Sequence, residues 1–357
     1  MTDATETNAY ERLYRETIPS VVSVYVTPEA GGERRRRGAG SGFVYDGSHV
    51  VTNQHVVGDA TEVDLRFSER DWRRGRVVGT DAYTDLAVVA VEDLPAYATP
   101  LDLVETNPAP GTPVAALGNP MGLDGSISSG IVSGASRSMP TGHGFAIPDT
   151  VQTDAPINPG NSGGPLVTSE ALRAPGTASG ERGDPRARVV GVNRARTGDN
   201  IGFAVSAEVV RRIVPELVER GEVRHSYLRI RTLDVSPTVA EANDLEGAGG
   251  VLVVDVSLGP ASGALIGCDR TSVVRGREVP TGGDVIVAID GEPVDSHEGL
   301  MRHLLLETAP GEEVTVELVR DGERLTERIT LAERPAPGRR RGRGRGRGRG
   351  GDHIPVR

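Results

Sequence analysis

Ten short apolar runs follow one another between residues 20 and 205, and turn-forming residues separate most of them. The runs are rich in valine and isoleucine, the β-branched residues that suit strands. Evenly spaced short strands predict β-barrels or a β-sandwich. Because aromatic residues make up only 3% of the chain, the core must be built from Val, Leu, Ile and Ala. The runs are 21–26, 41–45, 49–52, 62–67, 86–91, 113–118, 130–135, 165–167, 189–193 and 201–205.

Two helical patterns flank this β-rich region. Residues 1–17 place Tyr10, Leu13 and Tyr14 on one face of a short helix. Residues 207–223 carry an aliphatic stripe at the same spacing, with a serine before it that can cap the helix and a glycine near its end that can stop it. The stripe consists of Val209, Val210, Ile213, Leu217 and Val218.

The sequence shows no signal for export or membrane insertion. The first 17 residues are acidic and polar, and they lack the charged and apolar regions of a signal peptide. The apolar runs are far shorter than the about 20 residues that a transmembrane helix needs. A single cysteine, Cys268, excludes an intrachain disulfide and fits a reducing compartment. We therefore expect a soluble cytoplasmic protein, although export is also compatible with the sequence.

The basic residues are all arginine, and they are unevenly distributed. The chain has 40 arginines, no lysine and 50 acidic residues, for a net charge of −10. Residues 339–357 hold eight arginines, so residues 1–338 have 32 arginines against 49 acidic residues, a net charge of −17. Such a body resembles proteins adapted to high salt, where screening removes self-repulsion. A GC-rich codon bias that replaces lysine by arginine is the alternative explanation.

One serine stands in an unusual turn. The stretch NPGNSGGPLV at 158–167 surrounds Ser162 with glycine, proline and asparagine, which exclude a helix. A hairpin turn would explain this composition. A nucleophilic serine would also explain it, because backbone N–H groups in such a turn can point at a substrate oxygen.

A nucleophilic serine requires a base and a carboxylate that orients the base. His55 directly follows an apolar strand, in VVTNQHVVGDA. Asp85 lies at the mouth of the strand LAVVAV, where a half-buried carboxylate needs a donor such as a histidine N–H. Asp81 is the nearby alternative and is expected to be solvated. The other histidines are expected to be structural or to lie in loops or in the second unit: His49, His143, His225, His297, His303 and His353.

The order His55, Asp85, Ser162 and the motifs around it resemble the HtrA/Deg (DegP-like) family of trypsin-type serine proteases with a C-terminal PDZ domain. The motifs are GSGFVYDGSHVVTNQHVV, TDLAVVAV, LGNPMGLDGSISSGIVSG, VQTDAPINPGNSGGPLV and IGFAV. The resemblance covers roughly residues 18–333. It implies a mostly β fold, a chymotrypsin-like double β-barrel followed by a PDZ domain with one or two helices. It also implies that Ser162 attacks a peptide carbonyl, His55 transfers the proton and Asp85 orients His55.

The same resemblance assigns further residues to the protease site. In the oxyanion loop Gly160, Asn161 and Ser162, the N–H groups of Gly160 and Ser162 are expected to face the developing oxyanion. The substrate pocket is expected to be small and apolar, accepting Val, Ala, Ile or Leu rather than Lys or Arg. Its residues are Ile157, Ala195, Gly202, Phe203 and Ala204. No metal or other cofactor is expected, and Pro156 replaces a small residue that is usual in the family's motif.

The second unit, from about residue 223, resembles a PDZ domain, which binds a peptide as an added β-strand beside a carboxylate-binding loop. The matching loop is Tyr227, Leu228, Arg229 and Ile230. Arg229 stands where the family usually has glycine, and arginine reaches a positive φ less easily. Three alternatives follow: weakened carboxylate capture, an added charged donor, or an ordinary exposed strand residue. The segments 168–187 and 268–282 are expected to be long surface loops.

We expect five segments along the chain. They are an N-terminal helical trimerisation segment 1–17, a protease domain 18–206, a linker helix 207–222, a PDZ domain 223–333 and a disordered Arg-Gly tail 334–357. The implied function is endoproteolysis of unfolded or damaged proteins by a homotrimer or a higher multiple, with peptide C-termini as PDZ ligands. The rival is a proteolytically inactive PDZ chaperone or adaptor.

Two arginine clusters stand apart from these motifs, ERRRR at 33–37 and the Arg-Gly tail. Such clusters can attract nucleic acid, a membrane surface or acidic proteins. No aromatic residue interleaves the tail, so nucleic-acid binding by the tail is not expected. A solubilising tail is the simpler interpretation.

Overall fold

The computed structural model describes residues 8–26, 37–119, 125–140, 146–158, 160–172, 186–196 and 201–335. The chain divides into two compact units, Met1–Val223 and Arg224–Arg357. Strands dominate both units, which confirms the mostly β fold. The Arg-Gly stretch from residue 336, most of the cluster at 33–37 and residues 173–185 of the expected long loop lie outside the described residues.

The first unit contains thirteen of the described strands and three helices. The strands are β1 (Val21–Val26), β2 (Arg37–Val44), β3 (His49–Asn53), β4 (Glu62–Arg66), β5 (Trp72–Asp81), β6 (Leu86–Ala90), β7 (Asp102–Leu103), β8 (Pro113–Gly118), β9 (Ser126–Pro140), β10 (Ala146–Thr153), β11 (Pro165–Thr168), β12 (Arg188–Arg196) and β13 (Gly202–Ser206). The helices are α1 (Ala9–Thr17), α2 (Gln54–Val57) and α3 (Ala207–Arg220). Short 3-10 turns lie at Ile18–Ser20 and Glu170–Leu172.

Two β-barrels form the body of the first unit. Strands β1-β2-β3-β6-β5-β4 close into one barrel. The second sheet runs β11-β8-β9-β10-β13-β12-β7, and a further pairing of β11 with β12 closes six of its strands into a ring. The first barrel's core is almost entirely valine, leucine and alanine, with Phe67 as the one buried aromatic ring in its cluster. The aliphatic core expected from the composition is therefore present.

Helix α3 packs on strands β5, β6, β12 and β13 within the first unit, although the sequence suggested a linker. The hydroxyl of Ser206 caps it by accepting from the N–H of Val209, and Gly221 ends it at a φ of +79°. Four of the five expected stripe residues are buried, but Val218 is 37% exposed. Val214 takes its place on the buried face, because residues three and four apart share one side of a helix.

Helix α1 begins at Ala9, after Asn8 caps it by accepting from the N–H of Tyr10. Leu13 and Thr17 are buried within the same chain, and Tyr14 is half-buried. A Cβ added at Gly125 would lie 2.7 Å from the Tyr14 hydroxyl oxygen. Part of the helix's apolar face is therefore covered by its own chain.

The second unit consists of one main sheet with helices beside it. Its strands are β14 (Ser226–Tyr227), β15 (Ile230–Asp234), β16 (Val251–Val256), β17 (Arg270–Val274), β18 (Arg277–Thr281), β19 (Val285–Ile289), β20 (Glu292–Pro293), β21 (Glu313–Arg320), β22 (Glu323–Thr330) and β23 (Ala332–Glu333). Its helices are α4 (Pro237–Ala242) and α5 (His297–Leu306). The main sheet has the order β15-β16-β19-β21-β22, so β15 forms one edge.

The expected loop at 268–282 is largely a hairpin, which corrects the sequence interpretation. Strands β17 and β18 pair through Val274 and Arg277. The two residues between them, Arg275 and Gly276, have φ of +51° and +76°. Positive φ at both positions is the type I′ geometry that matches strand twist.

No helix in the described part of the chain is long and apolar enough to cross a membrane.

Candidate active site

His55 is the second residue of the short helix α2, directly after strand β3. Its neighbours Val56 and Val57 are 3% and 1% exposed and pack into the core of the first barrel. This packing fixes the helix, while the imidazole itself remains 45% exposed. The histidine is therefore held by buried neighbours and is open to a substrate.

Asp85 contacts His55 at two points. Its Oδ2 lies 2.7 Å from His55 Nδ1, and its Oδ1 accepts the backbone N–H of His55 at 3.0 Å. The Asp85 carbonyl also accepts the N–H of Gln54 at 2.9 Å and the side-chain amide of Asn53 at 3.1 Å. An ionised carboxylate only accepts, so Nδ1 of His55 carries its proton and Nε2 keeps a free lone pair.

Asp85 also contacts Arg194, a residue that the motif analysis missed. Arg194 Nε donates to Asp85 Oδ2 at 2.5 Å, and the Asp85 side chain is only 5% exposed. Burial raises the pKa of the Asp85 carboxyl, but hydrogen bonds and charges from His55 and Arg194 outweigh burial and hold this pKa below its ordinary value. The carboxylate is therefore a fixed negative charge beside the imidazole.

Asp81 is buried, contrary to the expectation that it would be solvated. It ends strand β5 and is 5% exposed. Its carboxylate accepts the N–H of Tyr83 at 3.1 Å and the hydroxyl of Thr84 at 2.6 Å. Asp81 thus organises the turn that leads to Asp85, because a buried carboxylate must find donors nearby.

The turn that carries Ser162 is held by Ser41 of strand β2. The Ser41 N–H donates to the Ser162 carbonyl at 2.8 Å, and its hydroxyl donates to the Gly160 carbonyl at 2.6 Å. A Cβ added at Gly40 would lie 2.7 Å from both the Ser162 carbonyl oxygen and a methyl of Val56. Strand β2 therefore brings the serine turn and helix α2, which carries His55, to the same place.

The amides of this turn differ in their partners. The N–H of Asn161 donates to Asn158 at 3.0 Å, and that of Gly163 donates to Asn193 at 2.8 Å. Among the described residues, the N–H groups of Gly160 and Ser162 have no acceptor. Gly160 has a φ of +104°, a conformation that side chains rarely adopt. Two donors without an acceptor in the described part of the chain thus flank Asn161, whose side chain accepts from Ser126 and is buried.

The expected pocket residues lie on strands β12 and β13 and on the segment before the serine turn. Ile157 is 3% exposed, and a Cβ added at Gly202 would lie 2.8 Å from its Cδ1. Ala204 is fully buried in the same apolar cluster as Ile157, whereas Phe203 is half-buried. Ala195 lies on β12, but its side chain is outside the described residues.

Comparisons with known proteins agree with this geometry. A family model described as a trypsin-like peptidase domain matches residues 40–173, and a PDZ domain model matches residues 227–331. The protein named protease Do-like 1, chloroplastic, of Arabidopsis thaliana is 33% identical over 350 residues, which cover 93% of this chain and 73% of that relative. The chain belongs to the HtrA/DegP family of serine endopeptidases.

Some HtrA/DegP relatives are longer than this chain, whereas solved HtrA-type structures match it over almost their whole length. A probable periplasmic serine endoprotease, DegP-like, of Pseudomonas fulva (strain 12-X) is 34% identical over 336 residues, covering 91% of this chain and 62% of the relative. The solved structure described as HtrA-type protease AlgW with tripeptide has a TM-score of 0.70 and 26% identity, covering 92% of this chain and 98% of that one. The serine endoprotease from Yersinia pestis has a TM-score of 0.61 and 27% identity, with coverages of 91% and 98%. These relatives are named as proteases, which supports the protease over the inactive adaptor.

The expected peptide loop of the HtrA/DegP chain lies between β14 and β15. Arg229 does adopt a positive φ, of +60°. Its Nη1 donates to the Leu258 carbonyl at 2.7 Å, and the Arg229 carbonyl accepts the N–H of Ser257 at 3.1 Å. Leu228 is buried in the core of the second unit, and Tyr227 and Ile230 are half-buried on either side. Contacts with the segment 257–259 therefore hold the Arg229 backbone at a positive φ, which glycine adopts more easily.

The sequence predicted His55, Asp85 and Ser162 as site residues but did not predict Arg194. One signal was available: Arg194 directly follows the apolar run VVGVN, on the strand that pairs with β11 and β13. A cation at the end of a buried strand requires a partner. Only the fold shows that this partner is Asp85.

Proposed function

We propose that this HtrA/DegP chain is a cofactor-independent serine endopeptidase in which Ser162 is the nucleophile, His55 the general base and Asp85 the orienting carboxylate. The observation that carries the proposal is the two-point contact of Asp85 with the backbone and ring of His55, beside a serine turn in which two amides have no acceptor among the described residues. Substrates are unfolded or damaged proteins, as the family resemblance implies.

In the proposed mechanism, Ser162 Oγ attacks the peptide carbonyl while His55 Nε2 takes its proton. The imidazolium is stabilised by the Asp85 carboxylate and then returns the proton to the leaving amine. The N–H groups of Gly160 and Ser162 stabilise the oxyanion, and such donors contribute about 3–4 kcal/mol each. Water then releases the acyl group by the same steps.

The substrate pocket is proposed to accept small aliphatic side chains. The residues proposed for the pocket are Ile157, Ala195, Gly202, Phe203 and Ala204. Apolar packing supports its character, because Ile157 and Ala204 belong to one buried apolar cluster and Gly202 packs closely against Ile157. An arginine or lysine side chain would bury a charge there without a partner, which is costly.

The second unit is proposed to bind peptide C-termini. Strand β15 forms an edge of its sheet, and an extended peptide can add to such an edge. Helix α5 lies beside this strand, where the N–H of His297 donates to the Asp234 carboxylate at 2.6 Å. The loop Tyr227–Ile230 would receive the terminal carboxylate.

Three further properties are proposed from the sequence. The chain assembles as a trimer through α1, it is adapted to high salt, and it resides in the cytoplasm. Its acidic, lysine-free body supports the salt proposal. The compartment is open to revision by fractionation, since one relative is named periplasmic and another chloroplastic.

The proposed activity is tested by Ser162→Ala in the full chain. Casein-like unfolded substrate should no longer be cleaved, and a fluorophosphonate that labels the wild type should not label the variant. Ser48→Ala, at an exposed turn residue, is the matched control and should keep both properties. Substantial proteolysis by Ser162→Ala at unchanged circular dichroism would refute the assignment.

A further inference from the structure

Arg194 reaches the carboxylate of Asp85 from a rigid position on strand β12. The preceding residue, Asn193, is fully buried, and its side-chain amide donates to the carbonyls of Leu117 and Pro165 at 3.1 and 3.0 Å. The backbone N–H of Asn193 donates to Gly164, two residues after the nucleophile. The strand that presents Arg194 is therefore anchored to the serine turn itself.

The Arg194 side chain is enclosed along its length. It is 15% exposed, its Nε donates to Asp85 Oδ2, and its Nη1 lies 3.6 Å from the sulfur of Met139. The same Asp85 oxygen contacts His55 Nδ1, while Oδ1 accepts the His55 backbone N–H. Arg194 and His55 thus share one oxygen of a carboxylate whose other oxygen is already used.

The charges around this carboxylate come from two elements. His55 on α2 and Arg194 on β12 are the titratable and charged groups that act on Asp85 among the described residues. Asp81, at the end of β5, has its carboxylate directed to Tyr83 and Thr84. Arg194 is therefore the permanent cation of the site, because guanidinium does not deprotonate in proteins.

We propose that Arg194 is a positioning residue of the protease site, which fixes the ionised Asp85 carboxylate beside His55 and keeps the protease active at lower pH than a neutral residue at 194 would allow. The inference rests on the proposed function. A fixed cation beside the carboxylate disfavours a second positive charge on the imidazole of the free enzyme. Without Arg194, activity should therefore be lost at a higher pH than in the wild type.

Two variants separate the charge of Arg194 from its hydrogen bond. Arg194→Gln keeps a donor and loses the charge, so the acid limb of the pH–rate profile should move to higher pH by about one unit. Arg194→Lys keeps the charge, so its acid limb should stay near the wild-type position. Its plateau rate should fall by about tenfold or less, because an ammonium group fixes the carboxylate less rigidly. KM should change little in both.

The measurement is the rate of fluorophosphonate labelling of Ser162 in the full chain, followed from acid to alkaline pH, with peptide kcat and KM at the plateau. Arg212→Gln is the matched control: Arg212 pairs with Glu216 on α3 and has no contact with Asp85. Its pH profile should equal that of the wild type.

The outcomes distinguish the two proposals. If the wild type is not labelled at Ser162, the proposed function fails and the role of Arg194 fails with it. If the wild type is labelled and Arg194→Gln keeps the wild-type acid limb, only the role of Arg194 is overturned. If Arg194→Gln does not fold, Arg194→Met serves as the neutral variant: an acid limb moved to higher pH supports the proposal, and a limb at the wild-type position overturns it.

Discussion

Substituting Gly163 by alanine would force a side chain into the turn directly after Ser162. Gly163 has a φ of +86°, and an added Cβ would lie 2.1 Å from the Ser41 carbonyl oxygen and 2.3 Å from Thr52 Oγ1. Hydrogen bonds prevent both neighbours from moving away easily. The Ser41 carbonyl accepts the Thr52 hydroxyl at 2.6 Å, and the Ser41 N–H holds the Ser162 carbonyl. The substitution must therefore distort the turn.

The expected cost has two parts. Left-handed backbone costs an L-residue about 1–2 kcal/mol, and overpacking a closed site typically costs about 1–3 kcal/mol. Gly163→Ala should therefore lose roughly 2–5 kcal/mol of unfolding free energy, a large share of the about 5–15 kcal/mol of a typical domain. Gly111→Ala isolates the backbone part, since Gly111 has a φ of +89° and nothing within 4 Å of an added Cβ. Gly47 has neither a positive φ nor an atom within 4 Å of an added Cβ, so Gly47→Ala should leave the unfolding free energy nearly unchanged.

Urea unfolding followed by tryptophan fluorescence measures these differences. Trp72 is the single tryptophan of the chain and lies on β5 of the first barrel, so its signal reports that unit. Fluorophosphonate labelling in the absence of urea should also fall for Gly163→Ala but not for Gly111→Ala. An unfolding free energy for Gly163→Ala within about 0.5 kcal/mol of that for Gly111→Ala would show that the turn has room, and the reasoning would be wrong.

Four further outcomes are expected. Mass spectrometry of peptide products should find cleavage after Val, Ala, Ile or Leu because the proposed substrate pocket is apolar; a majority of cuts after Arg or Lys would contradict this proposal. Light scattering should find a trimer that is lost in a chain starting at Ile18, since Tyr10 and Tyr14 are only half-buried within one chain. A monomeric full chain that still cleaves substrate would refute trimerisation through α1. Melting temperature and peptidase rate should rise with KCl into the molar range, because the Debye length falls from about 30 Å at 0.01 M to about 3 Å at 1 M. Deleting residues 336–357 removes arginines that offset the acidic body, so stability and activity at low salt should fall further while high-salt activity stays almost unchanged. A flat salt profile would refute the salt adaptation. Equal profiles for the full and the truncated chain would refute the role of residues 336–357.

The strands that sequence reasoning found differ in kind from those it missed. All ten apolar runs between residues 20 and 205 coincide with strands, with at most one residue outside, because valine-rich segments place their apolar side chains in the cores of the barrels. Strand β5 was missed since its sequence, WRRGRVVGTD, is dominated by arginine and half of it faces solvent. Strand β10 was missed because Pro148 and Asp149 are poor strand residues. Its register shifts at this point, and Asp149 is satisfied by Asn107 and Ser206, which are distant in sequence.

The sequence by itself determined the mostly β class and the valine-rich core, because local composition is enough to mark strands and turns. The candidates His55, Asp85 and Ser162 came from an order of motifs that resembles the HtrA/Deg family. Tertiary structure alone decided how these groups meet. Ser41 holds the serine turn beside α2, Asp85 contacts both the ring and the backbone of His55, and strand β12 brings Arg194 to the same carboxylate over 109 residues of chain. Contacts at such separations depend on barrel closure and strand register, which no local pattern encodes.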